Sequence, residues 1–110
     1  VFPAHQQEQV RTMLSFTLEA VCCQKLIPTA RGDGRALAAE IMIATPGIRA
    51  LVRDAKAPQI YSHIQTGGQI GMQTMSQSLA DLVQSGNCRL RDAERVLSDT
   101  KELHSALKAA

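Results

Sequence analysis

The sequence predicts a mostly α-helical chain that carries a short β-hairpin. Three observations lead there. Apolar residues recur at three-and-four spacing through several segments, an Asp33-Gly34 turn signal sits between two apolar runs, and most glycines and prolines fall between the periodic segments. With 110 residues the chain has room for one compact domain or for part of a larger protein. It opens on Val1 and not on a methionine, so it is expected to begin within a longer gene product or after processing.

Val1-Phe2-Pro3 reads as the end of an extended segment, because a proline biases the residue before it away from helix. A long helix over residues 4–25 is expected next. Val10, Met13, Leu14, Leu18, Val21 and Cys22 keep helical spacing, and Phe16, Ala20 and Cys23 outside that stripe suggest cover on more than one side. Leu26-Ile27-Pro28 breaks the helix and opens a hairpin whose turn is Arg31-Gly32-Asp33-Gly34-Arg35. The second arm, residues 35–43, is ambiguous on propensity; the turn and the Ile41, Ile43 alternation favour strand.

Thr45 is a good N-cap and Pro46 a good first residue for a helix over 45–54. Ile48, Leu51 and Val52 form one apolar stripe on it, with Arg49 and Arg53 one turn apart on a neighbouring face. Pro58 can open a helix over 59–65 bearing Ile60, Tyr61 and Ile64, closed by Gly67 and Gly68. A further helix over 72–85 carries Met72, Met75, Leu79, Leu82 and Val83 and stops at Gly86. Two short helices, 92–97 and 99–107, end the chain, the second with Asp99 and Glu102 placed as a capping box.

Composition excludes several classes. A net charge of +2, scattered basic residues and 3% aromatics do not suit a nucleic-acid partner. The longest greasy stretch, 36–44, contains Glu40 and is far shorter than the ~20 residues that cross a bilayer. No signal peptide is evident, and three cysteines without a C-x-x-C pair fit a reducing, cytoplasmic setting. Gly-x-x-x-x-Gly-Lys-Ser/Thr is absent, and Gly67-Gly68-Gln69-Ile70-Gly71 reads as a connector because no strand precedes it. His5, His63 and His104 share no ligand spacing, so no metal site is expected. Cys22 and Cys23 read as buried small hydrophobes, Arg31-Gly32-Asp33 as a plain turn, and Glu40 as a strand residue on the wetter face or a partner of Arg35. No catalytic residue is nominated.

Gly47-Ile48-Arg49-Ala50-Leu51-Val52-Arg53-Asp54 resembles the signature Ala-Ile-Arg-Asn-Leu-Ile-Arg-Glu of the PilT-type retraction ATPases of type IV pili, within the secretion-ATPase superfamily. Val1-Phe2-Pro3 followed by Gln9-Val10-Arg11, then Ala39-Glu40-Ile41-Met42, Ile64-Gln65-Thr66-Gly67 and Gly71-Met72-Gln73-Thr74-Met75 stand in the family's order over nearly the whole chain. Gly47, Ala50, Val52 and Asp54 depart from the signature, and Ser76 stands where an acidic residue is frequent. From Arg91 on the likeness is loose.

The resemblance implies the C-terminal helical part of a RecA-like α/β ATPase, with residues 1–44 ending the RecA-like core as a helix plus hairpin that completes its sheet. Residues 45–110 would then be a C-terminal helical subdomain. It further implies a cytoplasmic homohexamer, peripheral to the inner membrane, that hydrolyses ATP with Mg to retract pili in twitching motility and acts on an inner-membrane platform protein. ATP and Mg would be bound by Walker A and B motifs upstream of this chain, which alone should be inactive. Gly47, Ile48, Arg49, Leu51, Val52, Arg53 and Asp54 would relay the motion, Ile48, Leu51 and Val52 as a docking stripe and Arg49 and Arg53 as orienting charges. The alternative is a stand-alone helical interaction module without a motor.

Overall fold

Helix α1 (Ala4–Thr17) follows Pro3, whose φ of −55° and ψ of 150° place it just outside the helix. The computed structural model describes residues 2–109, so Val1 of the extended lead-in lies outside the described residues. The helix is shorter than the periodicity suggests. Thr17 donates its hydroxyl to Met13 O at 3.1 Å, and Leu18 turns to an extended conformation while its N–H still closes on Leu14 O at 2.9 Å. Beyond it, β-branched Val21 and the two cysteines are poor helix formers, and they join strand β1 (Ala20–Pro28). The expected stripe is corrected as well. Met13 (60% exposed) and Phe16 (69%) face outward, and Ser15 is the buried residue of α1, its hydroxyl folded back onto Thr12 O at 2.6 Å.

Strands β1 and β2 (Arg35–Ile43) pair as a two-stranded sheet, which settles the second arm as strand and lengthens the first. The turn between them is built on Gly32, at φ 75°, with Thr29 N–H bonded to Gly34 O and the Thr29 hydroxyl to Asp33 Oδ1 at 2.7 Å. Then come α2 (Pro46–Arg53), a 3₁₀ turn at Ala57–Gln59, α3 (Ile60–Thr66), a second 3₁₀ turn at Gly68–Ile70, α4 (Met75–Gln84), α5 (Leu90–Arg95) and α6 (Lys101–Ala109).

The chain divides into two compact units, one made of Ile41–Met72 with the chain up to Val21, the other of Cys22–Glu40 with the chain from Gln73 on. In the first, Met42, Ile48, Ile64 and Met72 form a buried cluster, with Leu18, Ile43, Val52 and Ile60 packed against it. In the second, Ile27, Ala38, Met75, Leu79, Ala80, Cys88, Ala93 and Leu103 form another. Both cores are aliphatic.

Helix α4 starts at Met75, three residues later than the apolar spacing suggests, because Thr74 and Gln77 form a capping box. Gln77 N–H donates to Thr74 Oγ1 at 3.1 Å and Thr74 N–H to Gln77 Oε1 at 3.0 Å. Glu40 belongs to the same region. Its carboxylate accepts from Met75 N–H at 3.3 Å, where a negative charge is favoured by the helix N-terminus, and this replaces the suggested pairing with Arg35. Ala39 donates its N–H to Ser78 Oγ at 3.0 Å and accepts from Gln73 Nε2 at 2.7 Å, so side chains from α4 and its lead-in satisfy the backbone of β2 there.

The last two helices are shifted from the expected bounds. Asp99 accepts from Lys101 N–H at 3.0 Å as an Asx turn before α6, and Glu102 accepts from the Thr74 hydroxyl at 2.8 Å.

Two helix ends share one geometry with different residues. After α4, Gly86 (φ 82°) bonds to Val83 O and Asn87 to Leu82 O; after α2, Ala55 (φ 58°) bonds to Val52 O and Lys56 to Leu51 O. Both are Schellman ends, and Ala55 carries a Cβ in the left-handed region that glycine fills without cost. Ala55→Gly should stabilise the chain by about 1 kcal/mol and Gly86→Ala destabilise it by about 1 kcal/mol, read as opposite shifts of the urea midpoint at unchanged slope.

Candidate functional site

The helix carrying the family-like signature starts where the sequence places it. Pro46 occupies the first helical turn, Ile48 N–H donates to Thr45 Oγ1 at 3.3 Å, and Arg49 N–H bonds to Thr45 O at 2.8 Å. Its faces are then sorted by packing. Ile48 is fully buried at 0% exposure in the first unit's cluster, Val52 packs partly against it, and Leu51 is half-buried. Ile48 therefore offers no surface in this structure.

The two arginines differ. Arg49 turns inward, its Nη1 donating to Ser15 O at 2.8 Å with Nη2 at 3.8 Å from Glu19 Oε2. Arg53 stays open and pairs with its neighbour Asp54 at 3.8 Å, side chains 46% and 53% exposed. Gly47 lies against α3, where a Cβ would stand 3.2 Å from His63 Cε1. Nothing in the signature announces that contact; Arg49's inward turn has no sequence signal either, since both arginines read alike at four-residue spacing.

Other nominated groups disperse. His5, His63 and His104 are all exposed, His104 sitting 2.7 Å from Glu94, and among the described residues no group of three or more His, Cys, Asp or Glu could hold a metal. Cys22 and Cys23 are exposed, a correction: they lie on β1, where Ile27 is the buried residue, and Cys88 is buried. Burial pushes the Cys88 thiol above its ordinary value, and Asp92 adds to the shift. A polar hollow of about 400 Å³ beside the hairpin turn is lined by Thr29, Arg31 and Asp33 from the turn and Ser85, Gly86 and Asn87 from the end of α4. Within it the Ser85 hydroxyl donates to Leu82 O at 3.1 Å and the Asp33 carboxylate accepts from the Thr29 hydroxyl at 2.7 Å, so each is engaged by a local partner.

No family model matches the chain. A twitching motility protein of Neisseria gonorrhoeae is 52% identical over 86 residues, which are 78% of this chain and 23% of that protein. The type IV pilus retractation ATPase PilT of Pseudomonas aeruginosa is likewise 52% identical over 86 residues, 78% of this chain and 25% of that protein. The crystal structure of the pilus retraction motor PilT with bound ADP matches at a TM-score of 0.82 and 43% identity, covering 96% of this chain and 29% of that one. The chain is a C-terminal segment of the PilT type.

The PilT-type segment spans about a quarter of the length of the curated relatives it matches. Its structural match extends over almost all of the chain, including the loosely similar stretch from Arg91 on. Within it, Ile48→Ala should cost about 3 kcal/mol and Leu51→Ala about 1, measured by denaturant unfolding. A thiol-reactive probe at neutral pH should modify Cys22 and Cys23 in the folded chain and Cys88 only after denaturation, as peptide mass spectrometry would show.

Proposed function

We propose that this chain is the output region of a hexameric, ATP-driven motor that retracts type IV pili in twitching motility. The observation that carries the reading is the match to the pilus retraction motor PilT at 43% identity and a TM-score of 0.82. ATP and Mg bind upstream of this chain in the complete motor, which works in the cytoplasm against an inner-membrane platform protein. Among the described residues no helix is long and apolar enough to cross a membrane.

Residues 1–44 belong to the end of a RecA-like core and residues 45–110 to a helical subdomain in this reading. The hairpin supports it. Because Ser78 and Gln73 engage β2 at Ala39, a larger sheet would continue through β1. Helix α2 serves as the relay. Ile48 and Val52 anchor it to the first unit's core, Leu51 lies at the boundary, and exposed Arg53 and Asp54 are left for the platform.

In the complete protein, Arg53→Ala should lower pilus retraction several-fold while ATP turnover persists, measured in cells carrying the variant as their only copy; intact retraction would make the exposed arginine dispensable. The purified 110-residue chain should release no phosphate from ATP above buffer, and measurable turnover would contradict the assignment of catalysis to the upstream region.

A further inference from the structure

We propose that Arg49 is a positioning residue that fastens α2 to the C-terminal turn of α1, so that movement of α1 carries the relay helix with it. The inference rests on the motor reading above and assigns one of its arginines an inward role.

Ser15 lies in the last turn of α1, where carbonyls have no partner within the helix and the helix end is electronegative. Arg49 answers both conditions. Its guanidinium donates to Ser15 O at 2.8 Å, a charge-assisted bond at a residue only 1% exposed, and its own side chain is 27% exposed. The nearby carboxylate contributes little, because Glu19 is 86% exposed and 3.8 Å away. The tie is thus to the backbone, which no substitution at position 15 would remove.

A second bond reaches the same corner. Ala44 N–H donates to Glu19 O at 2.9 Å just before the Thr45 cap, so the entry of α2 and its middle turn are both held to the place where α1 becomes β1. Two attachment points fix a helix's direction as well as its position. Arg53, one turn further on, pairs with Asp54 and takes no part in the tie. Of two arginines that look equivalent in sequence, one holds the helix and the other faces outward.

The test uses the complete protein with Arg49→Ala, Arg49→Lys and Arg49→Gln. Retraction per ATP hydrolysed should fall about tenfold in Arg49→Ala, and lysine, which keeps a donor and a charge, should recover half or more. Hydrogen exchange of the amides in Pro46–Arg53 should quicken about tenfold in Arg49→Ala with that in Met75–Gln84 unchanged. Where the alanine variant does not assemble, Arg49→Gln, too short to reach Ser15 O in the same way, should show the same two changes. Wild-type coupling and exchange in the alanine or glutamine variant would overturn the inference, and so would loss of assembly in lysine and glutamine variants alike, which would make Arg49 a requirement for folding only. A wild-type protein that shows no ATP-dependent retraction would remove the motor reading, while the exchange comparison would still decide whether Arg49 holds α2.

Discussion

The first unit depends on how the chain leaves α1. A helix that ends at Thr17 and passes through Leu18 and Glu19 into a strand exposes carbonyls that must find donors, and the buried ones cannot rely on water. Those at Ser15 and Glu19 are met by Arg49 and Ala44, residues about thirty positions later in the sequence. The corner is therefore complete only when α2 is in place. Ile48 supplies the apolar side of the same requirement, because the turn that presents Arg49 to Ser15 also puts the neighbouring isoleucine into the cluster of Met42, Ile64 and Met72.

The second unit solves a related problem at a strand edge. Polar side chains of α4 and its lead-in engage Ala39, the Met75 N–H donates to the Glu40 carboxylate, and the apolar side chains Met75, Leu79 and Ala80 fill the core with Ile27 and Ala38. Basic side chains tie the rest of the unit to backbone oxygens. Lys25 Nζ reaches Val96 O at 2.6 Å just past the end of α5, where a cation is favoured, and Arg89 reaches Ala30 O at 3.2 Å. Neither unit contains a tryptophan, so the packing relies on many small aliphatic contacts in place of a few large ones.

Much of this was legible in the sequence, and the failures have physical causes. The Thr45-Pro46 start, the Gly86 stop and the strand at residues 35–43 stand where residue chemistry puts them, since caps and turns depend on local hydrogen bonds. The long first helix did not, because Leu18, Val21 and Cys22 satisfy a helical period while β-branched and cysteine residues also pair well in a sheet, and the partner strand decides. Thr74 and Gln77 did carry a readable capping signature that apolar spacing at Met72 obscured. On α2 the apolar stripe was visible. The division of labour between Arg49 and Arg53 was not, because it depends on a carbonyl 34 residues away.

The contacts at Ala39 have a consequence for how the hairpin behaves in a crowded cell. Edge-to-edge polymerisation of sheets needs two open borders, one to join and one to be joined. Here one border is interrupted near its midpoint by a serine and a glutamine, and each would have to be pulled away before a foreign strand could pair there. A second copy of the hairpin could pair along β1, and the two copies together would then present only their interrupted β2 borders. Border-to-border stacking of copies would thus stop at a pair, a limit set by Ser78 and Gln73.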